Sequence, residues 1–96
     1  MKFEWDEDKN EYNKYEHGVS FEEASTIFED INILITDDFK HSTDNEERFI
    51  ALGRSYKRNL LFVCYCIRVN DTIRLISARK NLSKEQKEIY YANCRI

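Results

Sequence analysis

The sequence predicts an α+β fold of order β-α-α-β-β-β-β-α, with two N-terminal helices packed on a four-stranded antiparallel sheet. Three observations carry that prediction. The stretch EHGVSFEEA, residues 16–24, has the form of a joint between two helices. The runs 48–55, 60–69 and 72–79 read as strands joined by short links, and Ser83 opens a final helix.

Residues 2–5 alternate enough for a short first strand. Asp6 can cap a helix running through Lys9, Tyr12 and Asn13 to about Glu16, and its acidic first turn, Asp6-Glu7-Asp8, complements the helix dipole. Gly18 suits the place just past that helix, because a residue without Cβ enters the left-handed region at little cost. Ser20 then caps a second helix over 21–29, with Glu23 placed to complete a capping box and Val19 and Ala24 placed to close a hydrophobic staple. Phe21, Ala24, Ile27 and Phe28 share one helical face, which is core. On this local pattern His17 is a helix C-terminal residue whose partial positive charge suits the dipole.

Residues 31–36 are β-branched and apolar and form a strand that stops at Asp37-Asp38, before the polar loop HSTDNEE at 41–47. The link SYKRN and the turn at Asn70-Asp71 are short enough for hairpins, so the three later runs make an antiparallel meander. LLFVCYCI is apolar at both alternating positions and belongs at the centre of the sheet. Ser83 and Gln86 make a second capping box for a helix through Ile89, Tyr90 and Tyr91.

A chain of 96 residues, without proline, repeats or a low-complexity linker, suits one domain over 1–96. Hydrophobic residues at 42% indicate a folded chain despite 34% charged residues. No apolar run approaches the ~18 residues of a membrane span. The start MKFEWDEDKNE is acidic where a secretion signal is basic and then apolar, so a cytoplasmic protein with no membrane partner is expected. Cys64, Cys66 and Cys94 form neither a disulfide framework nor a zinc site and read as reduced small hydrophobes. There is no Gly-rich phosphate loop, no G-x-S-x-G, no H-E-x-x-H and no EF-hand array, and the two histidines lie far apart. Neither a metal nor another cofactor is expected.

The net charge of −3 conceals an asymmetry. Residues 1–39 hold 3 Lys/Arg and 12 Asp/Glu, whereas residues 40–96 hold 12 and 6. A basic surface for a polyanion is therefore possible, as is mutual neutralisation of the two halves. Arg48 and Arg54 fall on one side of their strand, being an even number of residues apart. Strict alternation in the last strand places Ile73, Leu75, Ser77 and Arg79 on one side and Arg74, Ile76, Ala78 and Lys80 on the other. Its end, Ser77 to Lys80, brings a hydroxyl and two adjacent cations together, and a guanidinium is well suited to holding a phosphate. The plain alternative is a salt-bridged surface, with Lys57 and Arg58 as turn charges and Glu46-Glu47 neutralising Arg48.

Trp5-Asp6, Lys9, Asn13, HGVSFEEA at 17–24, Phe28-x-Asp30, EERFIALG at 46–53 and IRLISARK at 73–80 together resemble the BrnT family of toxins, in order and approximate spacing. The resemblance implies a RelE-like fold and a metal-independent endoribonuclease that inhibits translation and growth. It implies a BrnA-type antitoxin partner with a ribbon-helix-helix DNA-binding domain, the complex reaching operator DNA only through the antitoxin and repressing its own promoter. Two positions depart from the family pattern. Glu16 stands where a Lys commonly precedes the His-Gly pair, with Lys14 two residues earlier, and Lys80 stands where the motif commonly ends in Arg.

Cleavage of RNA without a metal requires removal of the 2′-hydroxyl proton, stabilisation of the phosphorane and protonation of the 5′-oxygen. With the resemblance, Arg48, Arg79 and Lys80 become candidates for holding the phosphate and stabilising the transition state. His17 is raised to a proton-transfer candidate, since imidazole has an ordinary pKa of ~6.5, and Glu47 is an alternative base. Lys9, Lys14, Arg54 and Arg74 are candidates for binding the RNA. The rival readings are a non-catalytic protein-interaction module and a nucleic-acid-binding domain without cleavage.

Overall fold

The computed structural model describes residues 1–94. The chain runs β1 (Phe3–Glu4), α1 (Glu7–His17), α2 (Phe21–Ser25), a 3-10 helix (Thr26–Glu29), β2 (Leu34–Asp37), β3 (Arg48–Arg54), β4 (Leu60–Arg68), β5 (Thr72–Arg79) and α3 (Lys84–Asn93), with a short 3-10 turn at Val69–Asp71. The expected element order is present, but the sheet has five strands in the order β1-β5-β4-β3-β2. β2 to β5 are antiparallel as predicted. β1 joins them parallel to β5, through Phe3↔Ile73 and Glu4↔Arg74.

The caps explain where the helices begin and end. Asp6 accepts from the N–H groups of Asp8 and Lys9, and Gly18 ends α1 at φ 67° while donating to the Lys14 carbonyl. At Ser83 both halves of the capping box form. At Ser20 only one does. Ser20 accepts from Glu23 N–H at 3.0 Å, but the Glu23 carboxylate turns inward and accepts from Ser55 Oγ at 2.6 Å and Asn59 Nδ2 at 2.8 Å. A buried carboxylate needs donors, and these two tie α2 to the β3–β4 turn. The second helix also tightens to 3-10 geometry after Ser25. There Ile27 lies against Gly53, where an added Cβ would come within 3.0 Å of Ile27 Cβ.

One face of the sheet is the main core. Val19, Phe21, Ala24 and Ile27 pack on Ala51, Leu61, Val63, Tyr65, Ile73, Leu75 and Ala78. On the other face α3 covers one end, where Leu82 and Tyr90 meet Leu52 and border Leu34, Leu60 and Phe62. Tyr90 donates to Asp30 at 2.5 Å and Asn93 to the Asn32 carbonyl at 3.2 Å, fixing the helix there.

A β-bulge corrects the alternation expected for β5. Cys64 pairs with Ser77 but Tyr65 pairs with Leu75, so Ile76 is an extra residue. Arg74, Ser77 and Arg79 consequently share one face, and Ile73, Leu75 and Ala78 share the other.

Candidate active site

Outside the area covered by α3, the second face of the sheet is polar. Its cross-strand rows follow from the register. Arg48 on β3, Cys66 on β4 and Arg74 on β5 form one row, continued by Glu4 on β1. Ile50, Cys64 and Ser77 form the next, and Leu52, Phe62 and Arg79 the third. Arg48, Arg74 and Arg79 therefore stand on one surface around a floor of Cys64 and Ser77. The Cys64 thiol is hydrogen-bonded to Ser77 and lies within electrostatic reach of Asp38, Arg79 and Arg48 together.

The arginines differ in how they are neutralised. Glu46 accepts from Arg48 Nε at 2.8 Å and lies 3.2 Å from Arg68 Nη2, while Glu4 pairs with Arg74 at 2.7 Å. The Arg48 hydrogen bond holds the Glu46 carboxyl below the usual carboxylate range, against a smaller upward push from burial and with help from Arg68. Arg79 has no carboxylate partner among the described residues. Its guanidinium lies 4.2 Å from the centroid of the Phe62 ring and donates to the Asn81 carbonyl. Stacking of this kind fixes the plane of the fork and leaves the charge available. Burial pushes the Cys64 and Cys66 thiols up, so both stay protonated and serve as floor.

The same region holds a pair absent from the sequence-based candidates. His41 Nδ1 lies 2.9 and 3.1 Å from the two carboxylate oxygens of Asp38, which is buried. An ionised carboxylate can only accept, so Nδ1 is the donor, and Nε2 has no hydrogen-bond partner among the described residues. The loop carrying the pair is stitched to β3. Asp38 N–H donates to the Arg48 carbonyl at 2.9 Å, and Ser42 Oγ accepts from Arg48 N–H at 2.8 Å. An imidazole held at one nitrogen by a buried carboxylate is oriented for proton transfer at the other. The signal in the sequence is the i, i+3 spacing of Asp38, where the second strand stops, and His41, which opens the polar loop.

The remaining candidates lie elsewhere. At the end of β5, Asn13 is buried and donates to the Val19 and Ala78 carbonyls, each at 2.8 Å, while accepting from Ala78 N–H at 3.2 Å. This clamp holds the α1–α2 joint against the strand that carries Arg79. Lys80 reaches over the joint, its Nζ 3.6 Å from where a Cβ on Gly18 would sit, and His17 is the half-buried neighbour of that glycine. Lys9 and Lys14 are on α1, which packs on the opposite side of the sheet from the arginines, and Lys14 pairs with Glu11 at 2.9 Å. Arg54 is at the α3 end, its guanidinium donating to the Tyr91 hydroxyl and the Arg58 carbonyl. Glu47 is exposed, and it is Glu46 that meets the arginines. Among the described residues no three His, Cys, Asp or Glu side chains gather to hold a metal ion, and no helix is long and apolar enough to cross a membrane.

Comparison with known proteins agrees with this architecture. The 1.1 Å crystal structure of the Brucella abortus ribonuclease toxin BrnT is similar to 86% of this chain and to 99% of its own, with a TM-score of 0.64 and 20% sequence identity. Such a likeness bears on the fold. Among curated proteins none matches by sequence. The family model described as "Ribonuclease toxin, BrnT, of type II toxin-antitoxin system" matches residues 5–85. With that match spanning most of its length, the chain belongs to the BrnT family of ribonuclease toxins of type II toxin-antitoxin systems.

Proposed function

We propose that the chain is a metal-independent endoribonuclease that cleaves RNA through attack of a 2′-hydroxyl on the adjacent phosphate. The observation that carries this reading is Arg79, stacked on Phe62 and without a carboxylate partner among the described residues, on the same surface as Arg48 and the Asp38–His41 pair. Arg79, aided by Arg48, holds the phosphate and stabilises the charge that builds on the phosphorane. His41 Nε2 removes the 2′-hydroxyl proton, with Asp38 orienting the ring and stabilising its charged form. His17, at the joint beside the end of β5, is the group from which the departing 5′-oxygen takes its proton, with Lys80 there helping to hold the phosphate and Glu47 as an alternative base. The product is a 2′,3′-cyclic phosphate.

Cleavage of single-stranded RNA in the presence of EDTA, with end-group analysis, tests the reading. Cyclic-phosphate ends at an undiminished rate are expected; 5′-phosphate ends, or loss of activity restored by a divalent ion, would contradict it. The partner is proposed to be a BrnA-type antitoxin whose ribbon-helix-helix domain carries the complex to operator DNA. Cleavage of RNA is proposed to arrest translation and growth. Glu46 and Glu4, which occupy Arg48, Arg68 and Arg74, favour a second reading in which the face binds without cutting. A chain that binds RNA and releases it intact would select that alternative.

A further inference from the structure

A second cationic site lies at the end of the sheet. A cavity of about 260 Å³ opens between the β3–β4 turn, the residue after β5, and α3, and is lined by Arg58, Asn59, Leu60, Lys80, Lys87 and Tyr91. Its charge is one-sided. Among the described residues no carboxylate lines it, and none of Arg58, Lys80 and Lys87 has an ion-pair partner. On the arginine face, by contrast, Glu46 and Glu4 already occupy three of the cations. Like charges gathered without counter-charges repel one another, and that repulsion becomes attraction when an anion enters between them.

The walls of the cavity are built rather than loose. Asn59 donates to the buried Glu23 at 2.8 Å, and the Tyr91 ring carries the Arg54 guanidinium 5.4 Å from its centroid. Arg58 holds a left-handed backbone conformation, φ 66°, in which glycine or asparagine would meet less strain. Lys80 follows Arg79 directly, so a strand whose phosphate lies on Arg79 has this cavity as its continuation over the end of β5.

We propose that the cavity is a phosphate subsite for single-stranded RNA, binding a backbone phosphate outside the scissile bond and setting affinity for longer substrates. The inference rests on the nuclease reading for why RNA lies on Arg79, but binding is measured separately from cleavage. The probes are a long single-stranded 2′-O-methyl RNA, which lacks the attacking hydroxyl, its ribo counterpart, and a ribodinucleotide. The proteins are wild type, Lys87→Ala, Arg58→Gly, which relieves the backbone strain, and the double variant.

Each substitution is expected to raise the Kd of the 2′-O-methyl strand about 3–10-fold at low salt and to flatten its salt dependence by about 0.7 per lost phosphate contact. KM for the long ribo strand should rise in parallel at constant kcat, the loss shrinking for the dinucleotide, with melting temperatures at or above the wild-type value. Unchanged Kd and salt slope in the double variant would overturn the proposal. So would variants that bind RNA normally but lose affinity for the antitoxin, since the cavity would then be a protein contact. Wild type that binds the 2′-O-methyl strand but cuts no ribo strand would defeat the nuclease reading alone, and the subsite would still be decided by the Kd comparison.

Discussion

At the scale of single residues, the fold and the site depend on a few polar side chains that reach across the chain. Asn13 is the clearest. It was visible in the sequence as a motif residue on a helix, but its work is long-range, since it satisfies Val19 and Ala78 backbone groups at once. Asn13→Ala leaves these groups unpaired, and unsatisfied buried groups cost about 1–3 kcal/mol each. Urea unfolding should show a loss of about 2–4 kcal/mol, and a change within experimental error would refute the clamp. The role of His41 is silent in the sequence, because only the tertiary fold buries Asp38 behind it. If it is the base, His41→Ala should slow cleavage about 10²–10⁴-fold. Asp38→Asn should lower the rate while retaining the imidazole. Full activity in His41→Ala would return the pair to loop structure, and full activity in His17→Ala would do the same for the helix joint.

At the scale of elements, local signals were legible and non-local ones were not. Caps at Asp6, Ser20 and Ser83, the left-handed Gly18 and the meander of β3, β4 and β5 are all written within a few residues of where they act. The partner of β1 lies at the far end of the chain, and its parallel pairing leaves no local mark. Ile76 is also silent in the sequence, because a bulge is set by packing on both sides of the sheet; yet it brings Arg74 to the face of Arg79.

The docking of α3 gives this scale its prediction. Burial pushes the Asp30 carboxyl up, but the Tyr90 hydroxyl and the Arg54 and Asn32 N–H groups together outweigh it and leave its pKa below the ordinary value. Tyr90 is itself pushed well above the usual tyrosine range by burial and by Asp30, so it remains the donor. A carboxyl depressed in the folded state contributes stability above its unfolded pKa and loses it as pH falls through the folded value. Tyr90→Phe should therefore cost about 1–3 kcal/mol at pH 7. It should also shrink the stability lost on acidification below the ordinary Asp pKa of ~3.9. Denaturation curves at neutral and acidic pH check both. A variant with the wild-type acid loss would show that this hydrogen bond does not set the Asp30 titration.

At the scale of the whole molecule, an acidic N-terminal half and a basic C-terminal half fold so that the two N-terminal helices and the arginines occupy opposite faces of one sheet. The family motifs made the class of protein legible, and strand alternation pointed to Arg48 and Arg79. The rest of the site depended on tertiary facts, namely which acids neutralise which cations and which ring supports Arg79. Lys9 and Lys14 stand apart from the arginines for the same reason, since their charge is real but α1 lies on the other face. A toxin built this way should arrest its host when induced alone and be rescued by co-expression of its antitoxin. Growth that continues after induction, with soluble folded protein in the cells, would deny the toxin role.

The most direct measurement is the single-turnover rate of RNA cleavage by wild type and Arg79→Ala at saturating enzyme in EDTA, with thermal melting run alongside. Removing one preorganised transition-state donor predicts a rate lower by about 10²–10³-fold, with the melting temperature little changed. An Arg79→Ala variant that cleaves at the wild-type rate would contradict the account.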